Sequence, residues 1–108
     1  MSKIPKAILE AILSDPFYKK CCIPHFEFVC SGRIEFHHNL IYGGKQVQEK
    51  DFILPVCHAH HVQEKKKSIK DRLNWVMLKR GSTRLIDAYS KVINWKHEQQ
   101  RLNKIYGE

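Results

Sequence analysis

Residues Cys30 to His61 read C-S-G-R-I-E-F-H-H-N-L-I-Y-G-G-K-Q-V-Q-E-K-D-F-I-L-P-V-C-H-A-H-H. Five of the seven histidines and two of the four cysteines fall inside this stretch. It has almost no apolar run long enough to pack a core alone. A strand-like segment, Arg33 to Phe36, ends on the pair His37-His38. A polar loop follows with Gly43-Gly44 at its middle, and a second strand-like run, Phe52 to Val56, leads into Cys57-x-x-His60-His61. A charged segment with helical character comes next. The order is therefore strand, loop, strand, helix, with histidines closing the first strand and opening the helix.

The cysteines extend this pattern toward the N-terminus. Cys57-x-x-His60 has the spacing of a zinc knuckle, whereas Cys22 and Cys30 lie farther apart than the usual half-site allows. With Cys30, Cys57 and His60, one cysteine of the Cys21-Cys22 pair makes a Cys3His zinc site tying two distant segments together. The competing reading leaves Cys21 and Cys22 as small buried thiols.

Around this centre the chain is basic. Nineteen Lys and Arg against eleven Asp and Glu give a formal charge of +8, and a charge of that sign favours polyanionic partners. With 108 residues, one domain is expected, small enough to gain from a metal staple. The start M-S-K-I-P-K has no apolar core of a secretory signal, and no run reaches membrane-spanning length. A reducing, cytoplasmic setting follows as the expectation, in which cysteines serve as metal ligands or free thiols.

Helical spacing of Ile4, Ile8 and Ile12 predicts a short helix from about Pro5 to Ser14. Phe17, Tyr18, Lys19 and Lys20 read as a lid over the core. Ile69, Leu73, Val76 and Met77 predict a helix closed by Arg80-Gly81, and Ser82 or Thr83 opens a longer one reaching Tyr106. These two form an expected antiparallel pair burying Trp75 and Trp95. Their basic residues, among them Arg80, Arg84 and Arg101, are candidates to lie along a duplex. No repeat or linker is visible.

The stretch from about Cys22 to Lys67 resembles the HNH (ββα-metal) endonuclease family, through His37-His38, the glycine-bearing loop and Cys57-x-x-His60-His61. The resemblance implies a fold of class α+β: a zinc-tied ββα-metal core, about 22–67, with an N-terminal helix and a helical extension over about 68–106. It prefers Cys22 over Cys21 as zinc ligand, beside Cys30, Cys57 and His60. It implies that His37 and His61 bind a catalytic Mg2+ or Mn2+ and that His38 is the general base, oriented by a backbone carbonyl of a loop that Gly43-Gly44 lets approach closely. The implied activity is metal-dependent cleavage or nicking of DNA with no small-molecule cofactor, as a homodimer where paired cutting is needed. Compact stand-alone members of this kind are carried by phages, which would place this one in the host cytoplasm.

Two family positions differ. The middle asparagine has no clear counterpart, since Asp51 and Phe52 occupy its place and Asn39 stands close to the histidine pair. A third histidine would fall at Lys65, which leaves Glu64 as the alternative ligand, or as a partner for a lysine. His58 is left over and is expected on an exposed face. Two rival readings are a non-catalytic zinc module that binds nucleic acid, and a basic module that binds an acidic protein.

Overall fold

The computed structural model describes residues 4–107, so the ends of the expected 1–108 span lie outside it. The fold is α+β with small antiparallel sheets. Helix α1, Lys6–Leu13, starts after Pro5 and ends at Ser14. A 3-10 turn, Pro16–Lys19, follows, capped by the Asp15 side chain accepting from Phe17 N. Strand β1, Ile34–His38, pairs antiparallel with β4, Ile53–Cys57, so that His37 lies opposite Leu54 and Ile34 opposite Cys57. Between them β2, Ile41–Tyr42, and β3, Lys45–Gln46, form a separate hairpin. Helix α2 spans only His58–His61, α3 runs Lys67–Tyr89 and α4 Trp95–Tyr106. No described helix is long and apolar enough to cross a membrane.

Strand β4 is buried along its whole length, as its run Ile-Leu-Pro-Val-Cys requires. Leu54 and Val56 join Phe52 in the main core with Ile69, Leu73, Met77 and Leu85 of α3. Ile53 points the other way, toward Ile12 of α1 and Tyr18. Alternation along the strand thus stitches α1 and α3 to opposite faces of one short sheet. Pro55 has no N–H to donate, and its carbonyl accepts from Cys22 N at 2.8 Å. Tyr18 is buried with its hydroxyl donating to Lys50 O at 2.6 Å, the lid role expected of its segment.

The helical extension follows expectation at Gly81 and departs from it farther along the chain. Gly81 interrupts the helix where expected: its φ of −140° and ψ of 39° are non-helical and separate two helical segments that follow one another across a kink within α3. A Cβ there would lie 3.2 Å from both Asp51 Cβ and Phe52 Cε1, so the bare glycine lets the 3-10 turn Lys50–Phe52 press against the helix. The expected long last helix is broken over 90–94 and restarts where the Asn94 side chain caps His97 N. Finally, Arg101 meets Asp71, and Asn103 and Tyr106 meet Trp75. Trp95 is buried, while Trp75 is half-buried.

The glycine pair also has a different job. Gly43 and Gly44 have φ of +62° and +77° and form the two-residue tip of the β2–β3 hairpin, with no neighbouring atom within 4 Å of an added Cβ. Positive φ at both positions is what the favoured hairpin turn requires. They do not bring a backbone carbonyl to the histidines.

Candidate metal centres

Two clusters of metal-ligating side chains occur among the described residues, and α2 contributes to both. The first is Cys21, Cys30, Cys57 and His60, whose donor atoms all lie within 4.8 Å of one another. His60 Nδ1 is 3.0 Å from Cys57 Sγ, 3.8 Å from Cys30 Sγ and 3.9 Å from Cys21 Sγ. Tetrahedral zinc with bonds of about 2.3 Å to sulfur and 2.0–2.1 Å to nitrogen separates its donors by roughly 3.5–3.8 Å. The four residues therefore fit and could hold a metal ion such as zinc.

The surroundings suit that role. His60 is fully buried, stacks on Phe28 at a centroid distance of 4.2 Å, and directs Nε2 to Phe26 O at 2.7 Å. A carbonyl can only accept, so Nε2 carries the proton and Nδ1 presents its lone pair to the sulfurs. The backbone N–H of His25 approaches Cys30 Sγ, and that of His60 approaches Cys57 Sγ, at 3.4 and 3.5 Å. Burial raises the Cys57 thiol, but the His60 N–H and imidazole outweigh it and hold the group down at about 6. Gly32, at φ +87°, permits the turn into β1; a Cβ there would strike His58 Cβ at 2.7 Å.

Cys22 is outside this cluster, and Cys21 takes the place expected of it. The reason is local pairing. Cys22 N is bonded to Pro55 O, which pins this bend of the chain against β4. Cys21 turns to the sulfurs, and Cys22 packs against the core, where burial pushes its thiol up to about 12.

The second cluster is His37, His61 and Glu64. His37 Nδ1 is 3.4 Å from Glu64 Oε1, and His61 Nε2 is 3.4 Å from Glu64 Oε2. The two rings meet edge-on with centroids 5.1 Å apart. Neighbouring ligands of an octahedral ion with bonds of about 2.0–2.1 Å are about 3 Å apart, so these three donors fit one face of such a site. Each imidazole is oriented from behind. Asn39 Oδ1 faces His37 Nε2 at 3.2 Å, and the Asn39 amide in turn donates to Asn74 Oδ1. Glu35 Oε1 takes His61 Nδ1 at 2.7 Å. Burial holds the His37 imidazolium pKa below its ordinary value despite the nearby Glu64 carboxylate, which favours the neutral ring a metal needs.

Three residues here escaped the sequence reading or received another part. Glu35 binds His58 and Arg33 as well as His61, so the exposed His58 is partnered. Two positions before His37 on a strand means the same face, the one signal that pointed to Glu35. Gln48 Oε1 lies 2.9 Å from His38 Nε2, replacing the expected backbone carbonyl. Asn39 orients His37 directly.

Glu35, His37, Asn39, His61 and Glu64 line a cleft of about 1320 Å³ that also receives His38. His37 and His38 point to opposite faces of β1, so their joint presence means the cleft runs over the outer edge of that strand. Arg33, Lys65 and Lys70 stand at its margin. The other lysines of the triplet are engaged elsewhere, Lys66 with Glu27 and Lys67 with Asp71. Comparison of the chain with protein-family models, curated proteins and solved structures found no match.

Proposed function

We propose that the chain is a metal-dependent DNA endonuclease of the HNH kind, hydrolysing phosphodiester bonds and nicking or cleaving its substrate. The observation that carries this reading is the convergence of His37, His61 and Glu64 in a basic-rimmed cleft that His38 also enters. Mg2+ or Mn2+ is the cation proposed for that triad, and Zn2+ for the Cys3His cluster. A divalent ion bound there supplies positive charge to the phosphate oxygens.

The remaining chemistry belongs to the side chains. With Nε2–H donated to Gln48 Oε1, His38 keeps Nδ1 free to take a proton from the attacking water. Glu35 and Asn39 hold the two ligand rings in one tautomer and orientation. Lys65 and Lys70, which line the same cleft, would offset phosphate charge.

A plasmid-nicking assay with added Mg2+ or Mn2+ tests the reading. His38→Ala should cut at least about 100-fold more slowly than wild type while retaining its zinc. Equal cutting by the variant would reject His38 as base. A wild type that binds DNA and zinc but never cuts would instead be a non-catalytic zinc module.

A further inference from the structure

The cleft is not uniformly polar, and the division follows β1. On the face that carries Glu35 and His37 are the metal-ligand triad and the cations Arg33, Lys65 and Lys70. On the opposite face Phe36 packs with the α1 side of the molecule, and Leu9 of α1 joins it in the cleft. Ile41, 56% exposed at the start of the hairpin, adds a further apolar surface to the same cleft.

Duplex DNA offers phosphates and sugars to a protein and keeps its base faces stacked inside. An unpaired strand instead carries phosphates along one side and exposed base faces along the other, which apolar side chains can cover. The volume, about 1320 Å³, exceeds the 300–1,000 Å³ range usual for small-molecule pockets and suits a length of polymer. We infer that the cleft takes a DNA strand with unpaired nucleotides beside the scissile phosphate. Its phosphates lie along Arg33, Lys65 and Lys70, and its bases lie against Leu9, Phe36 and Ile41. This assignment rests on the nuclease reading for the position of the phosphate, but the binding preference can be measured without catalysis.

The experiment is fluorescence anisotropy with zinc-loaded protein and no added Mg2+ or Mn2+. The probes are one oligodeoxynucleotide as a blunt duplex, as a single strand, and as a duplex with an unpaired tail. Electrostatics alone favours the duplex, which has the denser charge. The single strand and the tailed duplex should nevertheless bind at least about fivefold more tightly than the blunt duplex. Ile41→Ser should weaken the first two by roughly tenfold and leave the blunt duplex unchanged. Val92→Ser, at a 76% exposed position outside the cleft, should change none of them. Equal or tighter binding of the blunt duplex would overturn the assignment, as would an Ile41→Ser loss shared by all three probes. Strand preference without cutting would reject the nuclease reading alone, and cutting without strand preference would reject this assignment alone.

Discussion

Cys21 and Cys22 differ by one position and by almost everything in their surroundings. The Cys21 thiol lies 3.9 Å from His60 Nδ1, whereas Cys22 is turned into the core by the bond from its amide to Pro55 O. Metal analysis of the purified protein should therefore find bound zinc sharply reduced in Cys21→Ser and unchanged in Cys22→Ser. The reverse result would place the wrong cysteine in the cluster. The spacing of Cys57-x-x-His60 made half of a possible metal-binding cluster legible, because a knuckle is a local pattern. The choice between two neighbouring thiols was not, since a hydrogen bond to a residue more than thirty positions away makes it. Gln48 was hidden for the same reason: its approach to His38 depends on how the hairpin folds back.

At the scale of elements, the strand–loop–strand–helix order was readable from alternation and turn residues. So was the break at Gly81, since a glycine after Arg80 has the look of a helix stop. Its close approach to Asp51 and Phe52 was not, because those residues are distant in sequence. Gly81→Ala keeps an accessible φ and still brings a Cβ to within 3.2 Å of both neighbours. It should destabilise the fold by about 1–3 kcal/mol in urea denaturation, the usual cost of overpacking. A neutral or stabilising result would mean the turn over Lys50–Phe52 yields easily. The same turn is tied down elsewhere, by the Lys50 Nζ–Asp15 Oδ2 pair at 2.8 Å. Two elements distant in sequence are thereby fastened next to β4.

Over the whole molecule, the net positive charge overstates the cations available to a ligand. Arg84 holds Glu49 through two nitrogens, Arg80 stacks on Phe17 at 3.8 Å, and Arg101 joins Asp71 to Glu98. Composition could not distinguish these internal ties from a nucleic-acid surface, because each depends on which acid the fold brings close. They also imply a pH dependence. Arg101 holds the Glu98 carboxyl below its ordinary 4.5, and at Asp71 burial pushes upward but Arg101, with Lys67, outweighs it to hold that group below 3.8. Both folded values lie under the unfolded ones, so the stabilisation is complete above about pH 5 and is lost as pH falls through the folded values. Arg101→Gln should accordingly lower stability by about 1 kcal/mol near neutrality. The gap in Tm between variant and wild type should close toward pH 3, and a gap independent of pH would refute the ion-pair account. α4 would then be held by Leu102 and Trp95 in the core and by Asn103 and Tyr106 against Trp75.

His60 and His61 are consecutive residues on a single turn of helix, yet each answers to a different cluster. If both clusters are loaded as proposed, a chelator silences the protein by two routes, by emptying the His37, His61 and Glu64 triad and by loosening the turn that the Cys3His cluster ties down. Restoring only Mg2+ to a stripped sample would then leave it inert, and the order in which ions are returned would govern recovery. Purification history, as much as assay buffer, would decide whether a given preparation shows any activity.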